Sequence, residues 1–174
     1  MRYLALDTET TGLNFRGDVC RDHRIIEIAC VEIIDGVITG KEFHSFINPN
    51  GVEVSRGAQK VHGITNESLK DKPKFKDVIQ PLLDFIDDSP LVIHNAPFDI
   101  AFLNKEFNLL SNHTPKRVFK YVDTLAIARD LFPGEDNTLD ALCAKYNITG
   151  GGKRRVHGAL MDARLLAKLF ILMY

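Results

Sequence analysis

The chain has 174 residues, 45% of them hydrophobic, and its 22 basic and 23 acidic side chains leave a net charge of −1. This is the size of one domain with a substantial buried core. The balance of charge neither favours nor excludes a nucleic-acid partner. The first apolar segment begins at Tyr3, so we expect no signal peptide, and the most apolar stretch, residues 165–174, is too short to span a membrane. We therefore expect a soluble, cytoplasmic protein with no membrane partner.

The first third of the chain predicts three strands. Residues 3–6 (YLAL) form a short apolar run that is typical of a buried strand. Residues 24–34 and 37–47 predict a second and a third strand, and the Asp35-Gly36 pair between them is a strong hairpin signal. These segments indicate an antiparallel meander.

The rest of the chain alternates predicted helices with short strands. The predicted helices cover residues 75–86, 96–110, 124–131, 138–146 and 158–174, and the predicted strands cover residues 91–94 and 121–122. A meander followed by this alternation indicates the α/β class, with a five-stranded mixed sheet flanked by helices. No linker argues for a second domain.

Two carboxylates stand at the end of the first predicted strand. Because side chains alternate faces along a strand, Asp7 and Glu9 point to the same side and repel each other. A divalent cation such as Mg²⁺ between them makes the arrangement favourable, since hard cations prefer carboxylate oxygen. The alternative is that the pair marks the solvent end of a strand before a turn. The metal interpretation therefore depends on further carboxylates on apolar faces.

Two more carboxylates meet that condition. Asp99 shares a helix face with Phe102 and Leu103, and Asp162 shares an apolar stripe with Leu165. A buried carboxylate is costly unless it has a partner, a cation or a catalytic role. A favourable interaction with the helix N-terminus is the alternative, and it explains one such residue more readily than both.

Carboxylates from one strand and two helices can converge at the carboxyl ends of the strands, where open α/β sheets bind ligands. The chemistry that most needs converging anions is phosphoryl transfer by two metals about 4 Å apart. His157 precedes the helix that carries Asp162, and histidine is the usual group for taking a proton from water near neutral pH. The basic runs at residues 116–120 and 153–155 are candidate phosphate contacts or solvated loops.

These residues fall in three segments, namely residues 7–12 (DTETTG), 94–99 (HNAPFD) and 157–163 (HGALMDA). The segments resemble the exonuclease motifs of the DEDDh family of 3′-5′ exonucleases, which has a ribonuclease H-like fold. Further segments are similar to the epsilon proofreading subunits of bacterial DNA polymerase III. They are residues 61–65 (VHGIT), 123–126 (DTLA), 131–134 (LFPG) and 139–143 (LDALC).

The resemblance implies two divalent cations, Mg²⁺ or Mn²⁺, and a role for each site residue. It implies that Asp7, Glu9 and Asp162 hold the metal on the nucleophile side, and that Asp7 bridges to the second metal. Asp99 is expected to act largely through bound water. His157 is expected to be the general base.

The resemblance also implies contacts to the terminal nucleotide of the substrate. Thr8, Leu13, His62 and Phe98 occupy the matching positions, together with the metal-binding residues Asp7, Glu9 and Asp162. Packing is the alternative role for Leu13 and Phe98. The implied reaction is stepwise hydrolysis from a single-stranded or frayed 3′ end of DNA, with release of nucleoside monophosphates.

By resemblance, the partners include the alpha subunit of the polymerase III core, and the theta subunit is left open as a second. We expect one exonuclease domain over residues 1–174, without the polymerase-binding and clamp-binding tail that follows this domain in the family. Two alternative functions stay open at this stage. One is an RNA-trimming exonuclease of the same family, which would keep every metal ligand. The other is a non-catalytic docking module of the same fold.

Overall fold

The computed structural model describes residues 1–110, 118–150 and 155–174. Some of the basic side chains considered above as phosphate contacts lie outside these ranges, namely Lys116, Arg117, Lys153 and Arg154. Lys120 and Arg155 are described and are exposed. Within the described ranges, no helix has both the length and the apolar character that a membrane crossing requires.

Five strands form one mixed sheet. They are β1 (Arg2–Thr10), β2 (Ile25–Ile34), β3 (Val37–Phe46), β4 (Leu91–Ile93) and β5 (Tyr121–Asp123). The order across the sheet is β3-β2-β1-β4-β5. Strands β1, β2 and β3 pair antiparallel, whereas β4 pairs parallel with both β1 and β5. The predicted mixed sheet, with its opening meander, is confirmed.

Seven helices lie within the described ranges. They are α1 (Arg56–His62), α2 (Asn66–Leu69), α3 (Phe75–Ile86), α4 (Ala96–Leu110), α5 (Thr124–Leu131), α6 (Leu139–Lys145) and α7 (Ala159–Met173). The last five were predicted, with ends that agree to within one residue. The first two were not predicted, because each is short and carries little apolar periodicity. Capping signals do mark α1, since Ser55 accepts a hydrogen bond from the Ala58 amide and Gly63 ends the helix at φ 73°.

Strand β1 is longer than the predicted run at residues 3–6. Its pairing with β2 continues from Arg2, opposite Ile34, to Thr10, opposite Ile25. The backbone ladder needs no apolar side chains, so a neighbouring strand can extend β1 through polar residues. Asp7 and Glu9 therefore lie inside the strand rather than after its end.

Helix α7 packs on one face of the sheet, and five of the ten buried residues in this cluster are alanine. Ala5 of β1 and Ala29 of β2 meet Ala159, Ala163 and Ala167 of α7, and all five are fully buried. Small side chains let the helix backbone approach the strands closely. The first turn of α7 is thereby held near the odd-numbered side chains of β1.

The opposite face of the sheet carries the larger core. Leu4 and Leu6 of β1 pack there with Phe75 and Leu82 of α3 and Phe102 of α4. All of these side chains are completely buried. Odd-numbered residues of β1 therefore face α7, while even-numbered residues face α3 and α4.

A buried ion pair ties the start of β2 to α4. The Nε and Nη2 atoms of Arg24 donate hydrogen bonds of 2.7 and 2.6 Å to the two carboxylate oxygens of Glu106. The Ile25 amide donates a third bond, of 3.2 Å, to the same carboxylate. Only 1% of the Glu106 side chain is exposed. This cluster stabilises the junction between the sheet and α4.

We expect Glu106→Ala to lower the free energy of unfolding by about 3–5 kcal/mol, because the substitution leaves the Arg24 guanidinium without its carboxylate. The matched control is Glu42→Ala, which removes a similar two-point pair with Arg164 at a more exposed position. That loss should stay below about 1 kcal/mol. Urea denaturation followed by circular dichroism measures both values. Equal losses in the two variants would contradict the importance of burial.

Candidate active site

Asp7, Glu9 and Asp162 form a group of carboxylates where β1 meets the first turn of α7. One oxygen from each side chain can be chosen so that all lie within 4.8 Å of one another. Asp162 is buried, and Asp7 and Glu9 are half-buried. The alternation along β1 explains the grouping, because Asp7 and Glu9 follow Ala5 on the face that α7 covers. The structure therefore brings together three of the four predicted metal ligands.

Asp99 approaches from the opposite face of the sheet. It lies in the first turn of α4, is 4% exposed, and accepts a 2.6 Å hydrogen bond from the Thr8 hydroxyl. Thr8 points to this face because it falls between Asp7 and Glu9 in β1. Burial raises the pKa of Asp99 to about 7, and the Thr8 hydrogen bond opposes the rise. The predicted inward position of Asp99 is confirmed, although Asp99 lies outside the group of three.

The pKa of Asp7 is affected by burial and by the surrounding carboxylates. Burial raises the pKa of Asp7 well above its usual range, and the charges of four carboxylates raise it further. In decreasing order of effect, these are Asp99, Asp162, Glu9 and Glu27. Each of these anions makes ionisation of Asp7 less favourable. A bound cation would reverse the effect.

The donor set fits a hard divalent metal. Every candidate ligand atom in the group of three is a carboxylate oxygen, and neither a thiolate nor an imidazole belongs to it. Oxygen-only donors suit Mg²⁺ and Mn²⁺ rather than softer metals. Repulsion among these carboxylates is a second sign that the site suits a metal, because a bound cation relieves it. The arrangement can therefore hold a metal at the junction of β1 and α7.

His157 lies beside this group, as the sequence predicted. Its backbone amide donates to the Val61 carbonyl, which anchors the segment before α7 to α1. The Nδ1 atom is 3.2 Å from Oδ2 of Asp162, and Nε2 is 4.0 Å from Oδ2 of Asp140. An ionised carboxylate only accepts hydrogen bonds, so Nδ1 carries the proton in the bond to Asp162. The lone pair of the neutral ring is then on Nε2.

A cavity of about 360 Å³ adjoins Glu9. Of the seven residues predicted to touch a terminal nucleotide, five line it, namely Thr8, Glu9, Leu13, His62 and Phe98, whereas Asp7 and Asp162 are not among its lining residues. The sequence interpretation missed other residues of the wall, which are Thr10, Gly12, Phe15, Ser55, Gly57, Ala58 and Val61. Four of these belong to α1 or its cap, so the Ser55 capping signal would have found them. Phe15 is 93% exposed at the rim, and a lone aromatic residue in a polar loop is a weak signal.

His62 forms a neutral part of the cavity wall. Its Nδ1 accepts a hydrogen bond from the Ile64 amide at 3.0 Å, so its Nε2 carries the proton and donates to the Thr10 carbonyl at 3.2 Å. Burial lowers the pKa of His62. The side chain therefore supplies shape rather than charge, and both of its ring nitrogens are hydrogen-bonded to the backbone.

Gly12 allows the chain to turn tightly beside the cavity. Its φ of 149° lies where residues with a Cβ rarely fall. A Cβ atom there would lie 2.7 Å from Cε1 of His23 and 2.9 Å from Oγ of Ser55. The cap of α1 can therefore approach the end of β1 only if this residue is glycine.

Comparison with known sequences identifies close relatives. A family model described as Exonuclease matches residues 4–170. The chain is 49% identical over 174 residues to the DNA polymerase III subunit epsilon of Buchnera aphidicola subsp. Schizaphis graminum (strain Sg), an alignment that covers 99% of the chain and 74% of the relative. It is 47% identical to the DNA polymerase III subunit epsilon of Escherichia coli (strain K12), with 99% and 71% covered.

Solved structures of similar shape are also exonucleases. Exonuclease X in complex with 5′ overhanging duplex DNA superposes with a TM-score of 0.74 and 29% identity, over 98% of this chain and 90% of that one. The nuclease domain of a DEDDh family member bound to rAMP gives a TM-score of 0.80 at 18% identity, over 99% and 90%. The second likeness shows the fold alone. The predicted ribonuclease H-like fold is confirmed.

Without metal, the buried Asp99 should make stability depend on pH. Its pKa is about 7 in the folded state and 3.8 ordinarily, so between these values the folded chain keeps a proton that the unfolded chain has lost. The contribution of Asp99 to the free energy of unfolding therefore falls as pH rises from about 4 to about 7. We expect Asp99→Asn to flatten this dependence in urea denaturation with a chelator present. Superimposable pH profiles for the variant and the parent would contradict the raised pKa.

Proposed function

The chain belongs to the exonuclease family, and we propose that it is a 3′-5′ proofreading exonuclease of the DNA polymerase III epsilon type. The reaction is hydrolysis of the 3′-terminal phosphodiester of DNA with release of nucleoside monophosphates. One observation carries this proposal. The three carboxylates of Asp7, Glu9 and Asp162 lie beside a cavity of nucleotide size, and His157 is hydrogen-bonded to Asp162. The names of relatives at 47% and 49% identity support the choice of DNA.

Two divalent cations, Mg²⁺ or Mn²⁺, would be held by these carboxylates. Asp7, Glu9 and Asp162 would hold the one on the nucleophile side, and Asp7 would be shared with the second. Asp99, fixed by Thr8, would act largely through bound water. When bound, the metals supply charge stabilisation at the attacking and leaving oxygens and lower the pKa of a water molecule.

In the proposed reaction, His157 removes a proton from the attacking water. Its Nδ1–H bond to Asp162 holds the ring and leaves Nε2 as the proton acceptor. In this proposal, Asp162 both holds a metal and orients the general base.

The size of the cavity supports the proposal that the substrate must have a free 3′ end. Its volume of about 360 Å³ is at the small end of the range for ligand pockets, which suits one nucleotide rather than a base pair. Leu13 and Phe98 supply apolar surface against the base, while Thr8, Glu9 and His62 supply polar groups. A terminal base must leave its partner to enter, and this costs less at a mismatch.

The similarity to epsilon subunits also supports proposals about the partners of this protein and the extent of its domain. The alpha subunit of the polymerase III core is the expected partner, theta is a second candidate, and the expected location is the cytoplasm. The chain spans 74% and 71% of the two epsilon relatives described above. We treat residues 1–174 as one exonuclease domain.

The decisive experiment is digestion of 5′-labelled oligonucleotides that end in a matched, a mismatched or a ribose-containing 3′ nucleotide. We expect stepwise shortening from the 3′ end that requires Mg²⁺, stops with a chelator and is fastest at the mismatch. Cleavage confined to the ribose end would favour the RNA-trimming alternative, and no cleavage of any end would favour the docking module.

In the same assay, Asp7→Ala and Asp162→Ala should be inactive yet folded, because loss of one anion relieves repulsion. Retained turnover in either variant would refute the metal assignment.

His157→Ala should slow the chemical step far more than it weakens DNA binding. General-base catalysis contributes about 10²–10⁴-fold, so the single-turnover rate should fall within that range. Binding of a labelled oligonucleotide, measured by fluorescence anisotropy with Ca²⁺ in place of Mg²⁺, should stay close to the parent value. An unchanged single-turnover rate would remove His157 from the mechanism.

A further inference from the structure

Glu27 is a buried carboxylate to which the proposed mechanism assigns no role. It lies on β2 directly opposite Glu9 and is 4% exposed. Its Oε1 is 2.7 Å from Nε2 of His44 on β3, and its Oε2 accepts a 3.1 Å hydrogen bond from the Ala159 amide at the start of α7. One side chain therefore connects β2, β3 and the helix that carries Asp162.

Helix α7 has no side-chain cap of its own. Its capping position is Gly158, which offers no oxygen, and the first amides of any helix lack partners within the helix. The Glu27 carboxylate takes the place of the cap from the neighbouring strand. Its negative charge at the helix N-terminus adds a favourable interaction with the helix dipole. A Cβ atom on Gly158 would lie 3.7 Å from Oε2 of Glu27, which is an ordinary van der Waals contact.

The attachment point lies between the two functional residues of this segment. Ala159 stands between His157, whose ring is bonded to Asp162, and Asp162 itself. On β2, Glu27 is paired in register with Glu9, whose carboxylate belongs to the same group as that of Asp162. The bond from Glu27 to Ala159 is thus a direct tie between the strand side and the helix side of that group.

We propose that Glu27 is a positioning residue, which holds the start of α7 so that Asp162 and His157 stay in register with Asp7 and Glu9. The inference rests on the proposed function for its effect on rate. Glu27 touches neither substrate nor water in this role, and it acts through the Ala159 amide. His44 assists by donating to the same carboxylate and fixing its orientation.

The alternative is that Glu27 is merely a buried carboxylate whose loss weakens the whole fold. The chain offers a matched control in Glu32, which lies on the same strand and is 3% exposed. Glu32 is bonded to Nε of Arg2 at 2.6 Å and to the hydroxyl of Thr39 at 2.7 Å. It points to the opposite face of the sheet from Glu27, away from α7.

The test compares Glu27→Ala, Glu27→Gln and Glu32→Gln by single-turnover hydrolysis of a saturating single-stranded oligonucleotide with Mg²⁺. Small misplacements of reacting groups are costly, so Glu27→Ala should lower the rate about 10- to 100-fold while DNA affinity changes little. Glu27→Gln keeps an oxygen for the Ala159 amide and should recover most of the rate. Glu32→Gln should lose thermal stability and keep the parent rate. A parent-like rate in Glu27→Ala, no recovery in Glu27→Gln, or an equal loss in Glu32→Gln would overturn the proposal.

A second measurement separates this inference from the proposed function. Hydrogen exchange in the peptide covering residues 159–165 should become faster in Glu27→Ala and stay unchanged in Glu32→Gln. This readout does not depend on hydrolysis. Faster exchange together with an inactive parent protein would refute the function and keep the positioning role. Unchanged exchange in Glu27→Ala would refute the positioning role even if the parent protein is active.

Discussion

Side chains alternate between the two faces of β1, and the layout of the whole site depends on that alternation. Asp7 and Glu9 follow Ala5 onto the face covered by α7, where Asp162 completes the group. Thr8 points the other way and holds Asp99 of α4. A slip of one residue in the pairing of β1 would exchange the two faces and separate the carboxylates. Because the hydrophobic core specifies the register, it also specifies which acidic side chains meet.

The acidic side chains of the site repel one another, and stabilising contacts elsewhere in the fold offset this repulsion. Burial raises the pKa of both Asp7 and Asp99, and the neighbouring carboxylates raise the pKa of Asp7 further. Stabilising contacts lie elsewhere, in the Arg24–Glu106 pair and in the dense packing on both faces of the sheet. Charge repulsion is tolerated where a cation is expected, which is the usual relation between stability and function at a catalytic centre.

Much of this architecture could be predicted from the sequence, because long periodic segments carry their own signal. The meander, the five longer helices and the inward positions of Asp99 and Asp162 all follow from apolar spacing. Helices α1 and α2 do not, since helices of 7 and 4 residues depend on tertiary contacts and caps more than on periodicity. The length of β1 depends on the neighbouring strand that pairs with it. Glu27 gave no local signal either, because its partners at His44 and Ala159 are distant in sequence and meet only in the folded chain.

The alanine contact beneath α7 links packing to chemistry in a way that limits how the sequence can change. Ala163 adjoins Asp162 in the chain and is fully buried in the cluster between α7 and the sheet, so a larger side chain must displace its neighbours. A valine there would lift the helix and carry Asp162 away from Asp7. Under the proposed function, such a substitution would touch neither nucleotide nor metal and would still raise the error rate of replication. Inherited loss of fidelity could therefore begin in the hydrophobic core.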